Sequence, residues 1–178
     1  MSRHLHVRLM ASYNAWMNTK VLDAALTLPE AELIADRKAF FGSILGTLNH
    51  LVVADTIWLK RFANHPAQYT ELEPIVGLPT PDTLDQVMFP DLPGLQEHRK
   101  LLDNIIMNWA EAITEADLDY VLHYVNTKGI QGDKKFFSLI MHFFNHQTHH
   151  RGQLSTLLYQ AGIDVGVTDL VALIPNEL

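Results

Sequence analysis

HFFNHQTHHRGQL, residues His142 to Leu154, writes histidines into what is otherwise the apolar seam of a helix. Residues three and four apart are neighbours on one helical face. Stepping through the region at that spacing gives Phe136, Leu139, Phe143, His146, His150 and Leu157, a stripe that faces a core. Two of its core positions are therefore polar. A buried imidazole costs stability unless it finds a partner. A metal ion gripped by His146 and His150, one turn apart, is such a partner. The helical pattern runs from about Lys134 to about Ala161, where Gly162 offers a natural stop.

Three more segments carry helical periodicity. The first runs from about Ser2 to Leu28 and ends before Pro29. The second runs from about Ser43, a good N-cap, to Phe62, with Ile44, Leu48, Leu51, Trp58 and Phe62 as its stripe. The third runs from about Pro93 to Ile113 through Leu95, Leu102, Ile105, Ile106 and Trp109. Between the second and third, residues 63 to 93 hold six of the eight prolines, so that stretch cannot be one helix. It is expected to be a long crossover with a short helical turn near Asp82 to Met88. Residues 118 to 125 are rich in β-formers, and Thr127-Lys128-Gly129 can turn the chain, which predicts a small β-hairpin before the fourth helix.

Four long helices with one long connection predict an all-α protein: a four-helix bundle with a long crossover between helices 2 and 3, which lets those two run in the same direction. No internal repeat or second domain is visible, so residues 1–178 are expected to form a single domain.

Composition narrows the function. The net charge is −7 and no Lys/Arg cluster exceeds Lys134-Lys135, so a nucleic-acid partner is not expected. With no cysteine, disulfides, thiolate ligands and cysteine nucleophiles are excluded together. Neither a signal-peptide stretch nor a run of about 20 apolar residues is present, so a cytoplasmic protein without a membrane partner is expected.

A metal site that also holds a reactive ligand uses three protein ligands and leaves one position open. His50, midway along the second helix and flanked by small Gly46, Thr47 and Ala54, is the candidate third ligand. Spacing alone leaves His142/His146 and His146/His149 open as alternative pairs. Three neutral imidazoles suit zinc, nickel, iron or copper without choosing among them. Gln147 follows His146 where a metalloprotease helix would carry its glutamate base, which disfavours hydrolysis of that kind.

YNAW (Tyr13 to Trp16), GSILGTLNHLVVADTIWLKRF (Gly42 to Phe62) and NHQTHHRGQL (Asn145 to Leu154) together resemble the DinB/YfiT-like superfamily of metal-binding four-helix proteins, over essentially the whole chain. The name is shared with an unrelated DNA polymerase, of which the chain shows no feature. The resemblance implies His50, His146 and His150 as the metal ligands, the same bundle topology, and often a homodimer. Some relatives look like thiol S-transferases using a low-molecular-weight thiol, others like thiol-dependent isomerases or metal-dependent hydrolases.

Several further residues are singled out. Asp55 stands in the second helix's stripe, either orienting a ligand imidazole or a metal-bound water, or lying at the surface edge. Tyr13, Trp16, Trp58 and Gln153 are substrate-pocket candidates, although the two tryptophans also suit a core. Asn14 faces the site or solvent. Arg151, turned about 100° from His150, is expected to pair with another helix or a dimer partner. Gly152 costs roughly 1 kcal/mol inside a helix, which close approach of a neighbouring helix would explain. His4, His6, His65, His98 and His123 are expected at the surface.

The expected function is a metal-dependent enzyme acting on a small molecule, with one divalent ion (zinc, nickel or iron) whose open position takes a water or a thiol co-substrate. No strong general base is evident, which favours the thiol version over the hydrolase-like one. The alternative is a non-catalytic protein, with the metal tying helices together or serving a stress response. No catalytic side chain is assigned.

Overall fold

The computed structural model describes residues 2–176. Among the described residues there are six α-helices: α1 (Arg3–Leu26), α2 (Glu30–Ile34), α3 (Ile44–Phe62), α4 (Glu73–Val76), α5 (Leu92–Ala112) and α6 (Phe136–Gln160). The four long ones, α1, α3, α5 and α6, form the bundle, in which α1 and α3 each lie against both α5 and α6. Asp55 meets Arg99 and Phe62 meets Trp109, so α3 and α5 run the same way, as the long crossover allows. Asp55 meets Gln147 while Phe62 meets Phe136, so α6 runs against them. At that end Phe62, Trp109, Phe136 and Phe143 are essentially fully buried. Phe62 stacks on Trp109 at 5.1 Å and takes the edges of Phe136 and Phe143 at 5.4 and 5.8 Å. Aromatic faces and edges attract in these arrangements beyond the area they bury.

Local chemistry sets the helix ends. Ser43 caps α3, its hydroxyl accepting from the Gly46 N–H at 3.0 Å. Asp91 caps α5 through Gly94, with Pro93 in the first turn, where its missing N–H is no loss. Gly162 follows α6 at φ +84°, which a residue with a side chain rarely adopts.

The hairpin is present: β1 (Val121–Val125) pairs antiparallel with β2 (Gln131–Lys135). It claims Lys134 and Lys135, which the periodicity had assigned to the last helix. The helical turn in the crossover lies at residues 70–76 rather than at 82–88. Buried Leu72 and Ile75 pin it, and Pro74 sits in the first turn of α4. α2 follows Pro29 and was not foreseen; Leu33 anchors it. His65 is buried among Tyr69, Tyr120 and Phe136 rather than exposed. His4, His6 and His98 are half-buried, and His123 is exposed. Among the described residues, no helix is long and apolar enough to cross a membrane.

Candidate metal centre

Two loops hold His50 in place. The segment before α3 closes tightly: Arg37 N–H donates to the Gly42 carbonyl at 2.7 Å, and Gly42 turns at φ +73°. This lays the Phe41 ring on the His50 ring, 3.8 Å between centroids and 16° from parallel. On another side, the crossover presents the Leu84 carbonyl to His50 Nδ1 at 2.8 Å. Asn49 secures that crossover, donating to the Phe89 carbonyl and accepting from the Phe89 N–H, both at 2.9 Å.

The fold brings His50 together with His146 and His150. One ring nitrogen from each lies within 4.8 Å of the others. His50 Nε2 is 3.3 Å from His146 Nε2 and 3.2 Å from His150 Nε2. These separations look like hydrogen bonds, but proton accounting argues otherwise. A carbonyl only accepts, so the His50 proton sits on Nδ1 and its Nε2 carries a lone pair. Gln153 Oε1 accepts from His150 Nδ1 at 2.8 Å, leaving His150 Nε2 a lone pair as well. Two lone pairs thus face each other at 3.2 Å with no proton between them. A cation is what such a pair lacks. With metal–nitrogen bonds near 2.1 Å, tetrahedral ligands stand about 3.4 Å apart, close to the separations seen.

The rings are also in the protonation state a metal needs. Burial holds His50 down at about 4, with the neighbouring His150 adding to it. Burial and the other imidazoles hold His146 at about 3. Burial lowers His150 too. Among the described residues, no cysteine, carboxylate or fourth histidine joins the cluster, so a cation held there keeps room for an exchangeable ligand.

His142 and His149, the alternatives left by spacing, flank the cluster. The His142 ring centroid is 6.0 Å from that of His146 and 5.1 Å from the indole of Trp58. His149 accepts from Gln153 Nε2 at 3.2 Å. Trp58 is half-buried beside Tyr124, with the Arg61 guanidinium 4.7 Å above it. Trp16 packs on Tyr13 and under Lys20. Tyr13 is buried, and its hydroxyl donates to the Thr168 carbonyl at 2.7 Å. It lines a cavity of about 640 Å³ with His142, Asn145 and Leu170. A second cavity, about 450 Å³, opens beside Phe41 and is lined by Ile34, Phe40, Asp85 and Val87. Phe40 stands 86% exposed at its rim, an unusual place for a phenyl ring.

Asp55 takes neither of its expected positions. It is fully buried, yet its hydrogen bonds go to Arg99 and Gln147 and not to a histidine. It belongs to a polar network spanning the four bundle helices. Arg99 also reaches Asp103 at 3.0 Å, and Asn18 donates to Asp103 at 2.8 Å. Arg151 donates to Asn14 and Asn18, under the Tyr13 ring. Two arginines balance two aspartates. Burial pushes the Asp55 carboxyl up to about 6 despite Arg99, and burial pulls Arg151 down to about 10. The sequence held a signal for this: Arg99 falls four after Leu95 and three before Leu102, inside the stripe of α5. Gly152 differs from expectation too, since it is exposed and a Cβ there would meet nothing within 4 Å.

Comparison with known families places these residues in context. The DinB family model matches residues 1–177, and the chain belongs to the DinB family. No curated protein and no solved structure matches the chain.

Proposed function

We propose that this DinB-family chain holds one divalent cation on His50, His146 and His150 and uses it in thiol transfer to a small electrophile. The observation that carries the reading is the pair of unprotonated nitrogens, His50 Nε2 and His150 Nε2, held 3.2 Å apart by proton donation elsewhere. A cation bound there would lower the pKa of a thiol or water taking its free position to near neutrality. The three-ligand cluster favours this over a purely structural site, which is normally closed by four protein ligands.

The chain's own residues supply orientation and shielding. Leu84 and Gln153 hold two rings in the tautomer that aims Nε2 inward. Phe41 covers the face of His50 and the edge of His150, keeping water off that side. Phe40 and Val87 at the neighbouring rim offer apolar surface to a substrate. Asp55, the buried carboxylate of α3, is engaged by Arg99 and Gln147, so it is not available as a base for water attack. That favours a thiol nucleophile, whose sulfur bonds to carbon while the leaving group departs and the proton goes to solvent.

The test is a screen of metal-loaded protein with glutathione-type thiols and an activated aryl halide. Thioether formation that needs both the metal and His146 supports the reading. Metal bound at the histidines without turnover of any thiol or ester leaves the non-catalytic alternative standing instead.

A further inference from the structure

The buried network is an expensive feature for a bundle. Arg151 Nε and Nη2 and Gln147 Oε1 have no hydrogen-bond partner among the described residues, and such buried polar atoms lower stability. Replacing buried ion pairs with apolar residues is often neutral or stabilising. Its position on α6 offers a reason for it. Gln147 and Arg151 each follow a metal-site histidine by one residue, so two pairs with the same four-residue spacing run side by side, about 100° apart. One pair faces the cation site and the other grips the remaining helices.

We propose that the network centred on Asp55, Gln147 and Arg151 is a positioning device, setting the register of α6 against α3 so that His146 and His150 meet His50. This rests on the metal-site reading above. Apolar packing tolerates considerable repacking when volume is kept. A slide of α6 by one turn, about 5.4 Å, would exchange Leu139, Ile140 and Leu154 with Phe143, Phe144 and Leu158, apolar for apolar. The same slide would set Phe143 or Arg151 opposite Asp55, where Gln147 now donates. It would also strip Arg151 of Asn14 and Asn18 on α1. A metal site tolerates errors of only about 0.2 Å in its bonds, far finer than apolar contacts enforce. Directional bonds from α6 to both α3 and α1 supply that precision. Asp55, Gln147 and Arg151 touch no substrate or metal in this scheme; they act through the histidines.

The test is a Co²⁺ titration of full-length wild type, Asp55→Leu and Asp55→Asn, with affinity expressed per folded molecule and the visible absorption of bound Co²⁺ recorded. Asp55→Leu removes the acceptor of Gln147, whereas Asp55→Asn keeps an oxygen in place. The expected result is at least a roughly tenfold weaker Co²⁺ affinity and an altered spectrum for Asp55→Leu, with Asp55→Asn restoring most of both. A folded Asp55→Leu that binds Co²⁺ with wild-type affinity and spectrum overturns the inference while leaving the metal site intact. Should Asp55→Leu not fold, Gln147→Leu and Arg151→Met carry the same expectation and the same refutation. A wild type that takes up no Co²⁺ defeats the metal-site reading itself, and the inference with it.

Discussion

Acidifying the metal-free protein should destabilise it through the histidine cluster in particular. An unfolded histidine titrates near 6.5, whereas the folded chain holds His50 at about 4 and His146 at about 3. A base whose folded pKa is depressed stays neutral in the fold while the unfolded chain takes up protons. Stability is therefore unaffected above 6.5 and falls as pH drops from 6.5 towards 4. Two such groups give a slope of about 3 kcal/mol per pH unit, or about 4 kcal/mol at pH 5, as an upper limit. The site is partly open to water, and discounting for that screening leaves about 2 kcal/mol. For a chain of this size that is a fall in Tm of roughly 4–8 °C. The opposite tendency comes from Asp55, whose carboxyl is raised to about 6 and so takes up a proton in the fold before it would in the unfolded chain. Thermal melts at pH 7.5 and pH 5 in a chelator, for wild type and for His50→Ala/His146→Ala, separate the two. The wild type should lose more stability on acidification than the double variant, which keeps other buried histidines such as His150 and His65 but lacks the two held lowest. Parallel curves for the two proteins would refute the linkage.

Saturation with a divalent ion at 100 times its Kd should stabilise the fold by about 2.7 kcal/mol, a Tm rise of roughly 5–10 °C, and His50→Ala should abolish the rise. Phe62→Ala, which empties the fully buried centre of the aromatic cluster, should cost about 3–5 kcal/mol in chemical denaturation. A cost below about 1 kcal/mol would contradict the packing described. Gly152→Ala, on an open helix face, should stabilise a lone chain by about 1 kcal/mol. A lower Tm and a loss of dimer in that variant would instead show a second copy of the chain packed on α6.

The four long helices were legible because each repeats apolar residues at three- and four-residue steps. Ser43 and Gly162 marked ends by chemistry that acts within a few residues. The hairpin was legible for the same local reason, through the β-formers of residues 118 to 125 and the turn at Gly129. Lys134 and Lys135 were not, because their pairing with β1 competes with a helical pattern that runs through them. Leu72 and Ile75 drew the crossover's helical turn to themselves by burial against the bundle, a demand from outside the segment. Helix faces offered His50, His146 and His150 with His142 and His149 still open, and the family resemblance chose the set, but Phe41 and Leu84, which hold His50, come from loops with no period to read. Asp55 showed itself as an odd residue in an apolar stripe. Its partners lie on two other helices, so spacing within α3 could not name them. Gly152 drew a neighbour by assumption, since a helix glycine usually has one.

The most direct measurement is the metal content of the purified protein, wild type against His146→Ala, by elemental analysis of folded samples. Close to one divalent ion per wild-type chain, lost in the variant, is the expected result for three imidazoles converging on one cation. Equal loading of the two proteins would contradict it.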